Sequence, residues 1–341
     1  MSDRGTVLVT GGSGFIGSWC IIKLLERGYK VRTTVRSLGR EKAVRAALAT
    51  QRRSLEGLSF YAAELTADAG WDTAVAGCDY VLHVASPVVL SEPADPDVLI
   101  KPARDGATRV VGAAIKAGVR RVVLTSSVAA TSSPVGVAKS VCDETVWTDL
   151  ADSQVSAYAR SKTLAERAAW DLIAKSGGAT TLATVNPVVV IGPVLSGDFS
   201  ESVQTVQRLL SGKMPGIPRL GFSLVDVRDV ADLHILAMEA PTAAGQRFIA
   251  ATRFVWMAEM ADMLRALPGG IATKVPTRKI PNIVVRVGAL FDKELRAVTP
   301  RLDKQRDFSS AKAQAVLGWR PRPIEDSVDD CARSLIAVGA V

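Results

Sequence analysis

The chain has few cysteines and few histidines, and its apolar stretches are short. Among 341 residues there are 4 Cys and 2 His, and the cysteines lie far apart with no Cys-x-x-Cys spacing. A zinc site or a disulfide framework is therefore not expected. The sequence shows no uninterrupted apolar run of about 18 residues and no cationic leader before an apolar stretch, so neither a membrane span nor a secretion signal is expected. A cytoplasmic protein fits these absences.

The composition is that of an ordered globular protein. Hydrophobic residues make up 48% of the chain and charged residues 22%, which excludes a disordered chain. The formal net charge of +8 would suit nucleic acid, an anionic cofactor or an acidic substrate. Few aromatic residues are interleaved with the basic ones, and no nucleic-acid-binding module is recognisable, so we expect no nucleic-acid partner.

Strand-like and helix-like segments alternate through the first half of the chain. Strands are predicted at residues 6–10, 31–35, 58–62, 80–85, 122–125 and 182–190, with helical segments between them. This alternation predicts an α/β fold with a doubly wound parallel Rossmann sheet. After Pro193, Gly and Pro become frequent, which indicates a smaller carboxy-terminal substrate lobe. We predict a dinucleotide-binding domain of residues 1–190 plus a return segment 222–250, and a substrate-binding lobe of residues 191–221 and 251–341.

A glycine-rich turn lies between the first predicted strand and the helix that follows. It reads GGSGFIG from Gly11 to Gly17 and contains the spacing GxGxxG. Glycine lets the backbone turn with positive φ and approach phosphate oxygens, while the first N–H groups of the helix point at the anion. A plain flexible turn has the same letters, but this position favours a dinucleotide site with Gly11, Gly14, Phe15 and Ile16 in contact with the cofactor.

A basic segment follows the second predicted strand. Residues 30–53 contain eight basic residues and one acid, and Arg36 stands where an acidic residue would bind the ribose hydroxyls of NAD. We therefore predict NADPH or NADP, with Arg36 on the 2′-phosphate and Arg40 or Lys42 as a second donor. The remaining basic side chains of the segment are expected to form a solvated helix face: Arg45, Arg52 and Arg53.

A phenol and an ammonium are spaced for one helix face. Tyr158 and Lys162 stand at i and i+4 of a predicted helix. A phenol has a reference pKa of about 10, and a neighbouring cation favours its ionised form. This pair is a candidate for proton transfer, although a tyrosine at a helix–core boundary beside an extended lysine has the same spacing. The preceding strand ends in Thr125, Ser126 and Ser127, and ligands of such sheets bind at the carboxyl ends of the strands.

At this point the chain resembles the extended short-chain dehydrogenase/reductases of the NAD-dependent epimerase/dehydratase superfamily. Among them it resembles the group that includes dihydroflavonol reductases, cinnamoyl-CoA reductases and microbial aldehyde or ketone reductases. The resemblance rests on TGGSGFIG at 10–17, HVASP at 83–87, VLTSS at 123–127, YxxxK at 158–162, NP at 186–187 with GP at 192–193, VRDVA at 227–231, and LGWRP at 317–321. Together these motifs cover nearly the whole chain.

The resemblance implies catalytic roles for three residues. Tyr158 would give its proton to a carbonyl oxygen as hydride arrives from C4 of the nicotinamide. Lys162 would lower the pKa of the tyrosine, as in the family, and hydrogen-bond the nicotinamide ribose. Ser127 would polarise the carbonyl. Ser126 is an alternative for the last role, because adjacent strand residues point in opposite directions.

The family motifs also imply further cofactor contacts. Val84, Ala85 and Ser86 would lie beneath the adenine and its ribose. Glu64 and Leu65 would contact the adenine through their backbone. Pro187, with Val188 and Val189, would form a rigid apolar surface beside the nicotinamide. The full predicted cofactor set is Gly11, Gly14, Phe15, Ile16, Arg36, Arg40, Lys42, Glu64, Leu65, Val84, Ala85, Ser86, Thr125, Tyr158, Lys162, Pro187 and Val189.

Several other polar residues are expected to be structural. His83 lies within a predicted strand and His234 on a helix face, where a buried, hydrogen-bonded histidine is the usual finding. Asp226 and Asp229 are expected to start a helix or form ion pairs, because no further acidic cluster joins them.

These patterns favour the reversible NADPH-dependent reduction of an aldehyde or ketone. The segment 155–157 lacks the pattern of cinnamoyl-CoA reductases, so a free carbonyl substrate is preferred over a CoA thioester. A nucleotide-sugar epimerase or dehydratase is disfavoured, because Arg36 opposes NAD and VAA rather than acidic residues follows the serines. A non-catalytic NADP(H)-sensing protein is the third alternative, although such relatives lose the Tyr/Lys pair. We expect a small-molecule carbonyl substrate, no membrane partner, and a monomer or homodimer.

Overall fold

The computed structural model describes residues 4–87, 93–132, 139–197 and 199–341. The strands are β1 (Thr6–Thr10), β2 (Lys30–Val35), β3 (Leu58–Ala62), β4 (Tyr80–His83), β5 (Arg121–Thr125), β6 (Lys139–Cys142), β7 (Thr181–Pro187), β8 (Val189–Ile191), β9 (Ile217–Pro218), β10 (Gly221–Asp226), β11 (Gln246–Ala250), β12 (Arg253–Trp256), β13 (Lys279–Ile280) and β14 (Gln305–Phe308).

The helices alternate with these strands in the first half of the chain. They are α1 (Phe15–Glu26), α2 (Glu41–Ala49), α3 (Trp71–Val75), α4 (Asp97–Lys116), α5 (Ala157–Lys175), α6 (Glu201–Leu210), α7 (Val227–Glu239), α8 (Met257–Arg265), α9 (Asn282–Gly288), α10 (Lys293–Val298), α11 (Ala311–Leu317) and α12 (Ile324–Ala337). None of the described helices is long and apolar enough to cross a bilayer.

Seven parallel strands form the central sheet, in the order β11-β7-β5-β4-β1-β2-β3. The inner strands are runs of Val and Leu because helices cover both faces of a parallel sheet. Helices α1 and α7 pack on one face, and α3, α4 and α5 pack on the other. The predicted α/β sheet with crossovers on both faces is confirmed.

Two predicted strands are wrong in their extent: β4 ends at His83 rather than at residue 85, and one longer segment divides into two strands. The segment 182–190 was expected to be continuous, but β7 ends at Pro187 and β8 begins at Val189. Pro187 has no N–H to continue the ladder, so the chain leaves the central sheet there. Strand β8 then pairs with β10 in a second, three-stranded sheet completed by β12.

The second sheet belongs to a separate hydrophobic core. That core joins β8, β10 and β12 to α6, α8 and α12. The predicted return segment 222–250 divides between the two parts of the molecule: β10 lies in the small sheet, α7 lies on the central sheet, and β11 is its edge strand. On these two cores we propose the predicted division into a nucleotide-binding domain and a substrate lobe, with β10 assigned to the lobe.

Buried ion pairs join α7 to α12 and to the turn before it. The Asp226 side chain is fully buried, accepts a hydrogen bond from the Arg228 backbone N–H (2.8 Å) and pairs with the Arg228 guanidinium (2.8 Å). Arg228 also pairs with Asp330 of α12 (2.7 Å), and Arg322 pairs with Asp229 (2.8 Å). The expected helix-start and ion-pair roles of the two aspartates on either side of Val227 are therefore confirmed.

Both histidines are buried and hydrogen-bonded, as expected. Nδ1 of His83 lies 2.8 Å from the Thr10 hydroxyl, and His234 lies between the Thr125 hydroxyl (2.6 Å) and the Val230 carbonyl (2.8 Å). Burial, with the nearby ammonium of Lys162, lowers the pKa of His83 to about 3. Burial lowers the pKa of His234 to about 4.

These two histidines predict loss of stability in mild acid. A histidine of the unfolded chain titrates near pH 6.5, so below that pH the unfolded state binds more protons than the folded state. The free energy of unfolding should therefore fall by up to about 1.4 kcal/mol per pH unit for each histidine as pH drops from 6.5 towards 4. Urea denaturation at pH 7, 6 and 5 measures this slope. His234→Asn should flatten it, and equal stability at pH 7 and 5 would contradict the prediction.

Candidate active site

The glycine turn after β1 forms a cradle at the start of α1. Gly11 has φ of +71°, and a Cβ on it would lie 3.0 Å from the Ala85 Cα. A Cβ on Gly17 would lie 2.4 Å from the Gly11 carbonyl oxygen. No side chain caps α1 among the described residues, and its first turn has no acidic residue, so its first N–H groups are available to an anion. The turn therefore fits the pyrophosphate of a dinucleotide.

Substitution of Gly17 tests this cradle. The added Cβ of Gly17→Ala has no room beside the Gly11 carbonyl, so the turn must open and the Kd for NADPH should rise tenfold or more. Titration of NADPH fluorescence measures the Kd. Gly112→Ala in α4 is the matched control, because its Cβ would lie 3.8 Å from Leu172 in ordinary contact. The control should bind NADPH normally and gain up to about 1 kcal/mol of stability; equal Kd values in both variants would contradict the assignment.

A cavity of about 190 Å³ opens beside the glycine turn. Its wall includes Gly14 and Phe15 of the turn, Arg40, and Leu195 and Phe199 from the segment after β8. The positions of Leu195 and Phe199 beside the glycine turn were not predicted from the sequence. The signal that could have found them is the Gly-Pro pair at 192–193, which places this segment directly after a strand end.

The basic segment begins at the carboxyl end of β2. Arg36 follows Val35 directly and is exposed, and Ser37 accepts a hydrogen bond from the Gly39 N–H (3.3 Å), which starts a short 3-10 turn. Arg40 is the last residue of that turn and Lys42 lies exposed in the first turn of α2. All three predicted phosphate donors therefore follow the carboxyl end of β2. Because β2 is parallel to β1, this is the same edge of the sheet at which β1 ends.

The prediction for Arg45 is wrong. It was assigned to a solvated face, but its guanidinium pairs with Glu41 (2.7 Å), donates to the Leu58 carbonyl (3.0 Å) and lies over the Phe60 ring. Arg45 thus fastens α2 to β3. Its local spacing could not reveal this, because both contacts in β3 come from a later part of the chain.

Helix α5 carries the phenol and the ammonium. Ser156 caps it by accepting the Ala159 N–H (3.2 Å), and Lys162 Nζ lies 6.0 Å from the Tyr158 ring centroid. The Tyr158 side chain is 37% exposed, whereas Lys162 is 7% exposed. Within the described ranges, the Lys162 ammonium has no hydrogen-bond partner and no ion pair. The Lys162 ammonium is therefore available to bind a polar group of a ligand.

The two adjacent serines after β5 have different partners. The Ser126 hydroxyl donates to Glu166 Oε2 (2.5 Å). The Ser127 oxygen accepts the Ala129 N–H (3.1 Å), which leaves the Ser127 O–H available as a donor. The Thr125 hydroxyl faces His234 on the α7 side (2.6 Å), although Thr125 was predicted to contact the cofactor. Of the three side chains, only that of Ser127 keeps a donor that no described residue uses.

A small cavity is lined by Lys162 and by residues at the ends of β4 and β5. Its volume is about 20 Å³, and its lining includes His83, Ser86, Ser126, Lys162 and Glu166. This space is large enough for one water molecule. The carboxyl ends of β4 and β5 and one face of α5 therefore meet here.

The other predicted cofactor residues follow the ends of the remaining strands. Val84 and Ala85 follow β4, and the Ala85 N–H donates to the Thr10 hydroxyl (3.0 Å). The Glu64 carbonyl after β3 accepts the Trp71 indole N–H (3.2 Å), and the Glu64 side chain is exposed. Pro187 ends β7, and Val189 begins β8. Because the strands are parallel, these ends share one edge of the sheet, where ligands of this architecture bind.

Comparisons with known proteins agree with this arrangement. The sequence matches the model of the NAD dependent epimerase/dehydratase family over residues 7–251. It is 37% identical to dihydroflavonol 4-reductase of Zea mays over 351 residues, covering 100% of this chain and 91% of that protein. It is 34% identical to cinnamoyl-CoA reductase 2 of Arabidopsis thaliana, covering 98% and 93%. The structure of yeast methylglyoxal/isovaleraldehyde reductase complexed with NADPH matches with a TM-score of 0.81 and 26% identity, covering 98% of this chain and all of that one.

Proposed function

Because this chain belongs to the NAD dependent epimerase/dehydratase family, we propose that it is an NADPH-dependent reductase that converts an aldehyde or ketone to the alcohol. Membership of the family confirms the resemblance carried by the sequence motifs. The proposal rests above all on one observation. Ser127 follows the carboxyl end of β5, Lys162 lines a cavity with Thr125 and Ser126 of that end, and Tyr158 stands one turn before Lys162 on α5. The Ser127 O–H, the Tyr158 hydroxyl and the Lys162 ammonium are not used by any other described residue.

The cofactor proposal rests on the glycine cradle and the basic segment. The backbone of Gly11 and Gly14 and the start of α1 would hold the pyrophosphate, and Arg36 with Arg40 or Lys42 would hold the 2′-phosphate. When bound, NADPH supplies the hydride that reduces the carbonyl carbon. Two solved structures support the choice, since the yeast reductase and the Candida albicans Gre2 are both complexed with NADPH.

The side chains of the site handle the proton and the carbonyl oxygen. The Ser127 hydroxyl donates a hydrogen bond to the carbonyl oxygen and polarises it. The Tyr158 phenol gives that oxygen its proton and becomes a phenolate. The Lys162 ammonium, which is nearly buried and has no carboxylate partner in the described structure, stabilises the negative charge that this step leaves on the phenol. Its remaining N–H groups can bind the ribose hydroxyls of the dinucleotide.

The substrate class is the part of the proposal that needs a direct assay. NADPH oxidation at 340 nm should be followed across aromatic aldehydes, β-ketoesters, diketones, flavonoid-like ketones and a hydroxycinnamoyl-CoA thioester. Turnover of at least one free carbonyl compound is expected, with little on the thioester. Turnover of the thioester alone would overturn the free-carbonyl assignment. Tight NADPH binding without turnover of any carbonyl would favour a sensing protein.

The two serines can be separated by paired substitutions. Ser127→Ala removes the one O–H in the turn after β5 that no described residue uses, so kcat should fall about 10²–10³-fold. Ser126→Ala removes a bond to a buried carboxylate and should cost less than about tenfold. Steady-state kinetics of both variants on the same substrate measure the difference. A larger loss in Ser126→Ala would move the polarising role to that residue.

A further inference from the structure

A buried carboxylate lies on the catalytic face of α5, two turns after the phenol. Glu166 follows Tyr158 and Lys162 at the same four-residue spacing, and its side chain has no exposed surface. Its Oε2 accepts hydrogen bonds from the Ser126 hydroxyl (2.5 Å) and the Asn186 amide (2.9 Å). The mechanism proposed above does not use this carboxylate, although it lines the small cavity together with Lys162.

An arginine from the edge strand of the sheet fixes the other oxygen of this carboxylate. Arg247 Nε of β11 donates to Glu166 Oε1 (2.7 Å). The same guanidinium donates to the carbonyls of Glu144 (2.8 Å) and Val146 (2.9 Å), and its Cζ lies 3.7 Å from the centroid of the Trp147 ring. Arg247 is 8% exposed, so it is held on every side and cannot follow a movement of Glu166.

The hydrogen bonds around Glu166 connect it to both Ser126 and Ser127, which follow β5. The Asn186 amide that donates to Glu166 also donates to the Ser127 backbone carbonyl (3.2 Å). Glu166 therefore holds Ser126 through its hydroxyl and Ser127 through Asn186. Two further groups lie near Oε1: the Trp170 indole N–H donates to it (3.4 Å), and the Thr184 hydroxyl lies within reach of both Oε1 (3.2 Å) and the Asn186 Oδ1 (3.0 Å).

Stability alone is a weak reason to keep such a pair. Two charges lose hydration when they are buried, and well-packed apolar residues of similar size are often as stable. What the ion pair supplies is a fixed geometry for the polar groups attached to it. Here those groups are the two residues at the end of β5, one of which we assign to the carbonyl oxygen.

We infer that Glu166, anchored by Arg247, is a positioning residue that fixes the serine turn so that the Ser127 hydroxyl points at the carbonyl oxygen. This inference rests on the proposed reductase function. Glu166 touches no reacting atom, and it acts through Ser126 and Asn186. The dinucleotide cradle after β1 lies two strands away from β5 in the sheet order, so it does not depend on this carboxylate.

The test is Glu166→Gln, in which an NH₂ group replaces an acceptor oxygen and faces at least one donor. We expect kcat to fall tenfold or more while the KM for NADPH changes less than threefold. A general loosening of the fold would raise both the KM for NADPH and the inactivation rate. Asp229→Asn is the matched control, because Asp229 is also a buried carboxylate paired with an arginine but lies in α7 on the other face of the sheet. It should lower the Tm to a similar extent and leave kcat within twofold.

A double-mutant cycle with Ser126→Ala shows whether Glu166 acts through the turn. The double variant should have about the same kcat as Glu166→Gln alone, because that substitution already removes the orientation of the turn that the Ser126–Glu166 bond provides. Losses that multiply would overturn the inference, as would an unchanged kcat in Glu166→Gln.

If Glu166→Gln does not fold, Ser126→Ala decides. In the proposed mechanism the Ser126 hydroxyl donates to Glu166 and touches no reacting atom. A three- to tenfold fall in kcat at constant KM for NADPH, smaller than the fall in Ser127→Ala, therefore supports positioning, and no fall overturns it. The activity of the wild-type protein separates this inference from the proposed function. If the wild type reduces no carbonyl compound, the reductase proposal is wrong. If the wild type is active and Glu166→Gln is equally active, only the positioning role is wrong.

Discussion

Tyr158→Phe is expected to lower kcat about 10²–10⁴-fold while the Kd for NADPH stays within about threefold. The phenyl ring keeps the shape of the side chain but has no proton to give to the carbonyl oxygen. Lys162, whose Nζ lies 6.0 Å from the ring centroid, is unchanged, so the proposed contact with the ribose should remain. Single-turnover NADPH oxidation separates this loss of chemistry from a loss of binding.

Tyr80→Phe provides the matched control for this experiment. Tyr80 is the first residue of β4 and therefore lies at the opposite edge of the sheet from Tyr158, with its ring beside Arg120. Its substitution should leave kcat within twofold. Retention of more than a tenth of the wild-type kcat by Tyr158→Phe would remove the phenol from the reaction, because a dedicated proton donor contributes at least about 10²-fold.

Arg36→Glu is expected to raise the KM for NADPH about 100-fold and to leave the KM for NADH nearly unchanged. The variant loses a charge-assisted hydrogen bond to the 2′-phosphate, which contributes about 1.5–3 kcal/mol, and adds repulsion between two anions. Arg36 is exposed and follows β2 directly, at the carboxyl edge of the sheet where we propose that the cofactor binds. The ratio of kcat/KM for the two cofactors measures the change in preference.

The control for Arg36 is Arg53→Glu, which makes the same charge change at an exposed position beyond the end of α2. General repulsion of an anionic cofactor would act on both variants, whereas a specific contact acts only on the first. We expect less than a threefold change in the control. If both variants shift the KM for NADPH equally, the basic segment attracts the cofactor as a whole and Arg36 has no special role.

The local elements could be predicted because their causes are local. The strand at Thr6–Thr10 and the helix from Phe15 depend on an apolar run, a glycine turn and a helical period, all within about twenty residues. The spacing of Tyr158 and Lys162 likewise fixes them on one face of α5 without knowledge of the rest of the fold.

The main errors of prediction involve residues whose partners are distant along the chain. Nothing near Arg45 indicated that β3 would accept its guanidinium, and nothing in the apolar segment 182–190 except Pro187 indicated that two sheets would share it. The choice between the two serines was also open, because TSS reads the same whichever hydroxyl is free.

By itself, the sequence determined the alternation of strands and helices, the glycine cradle, the basic segment and the Tyr/Lys pair, since each depends on residues that are neighbours in the chain. Only the tertiary structure decided which hydroxyl stays free: Ser126 is bound to Glu166, 40 residues later, and Glu166 is held by Arg247, another 81 residues on. A buried charge requires a partner that folding alone brings within reach, so such choices are made by packing rather than by local pattern.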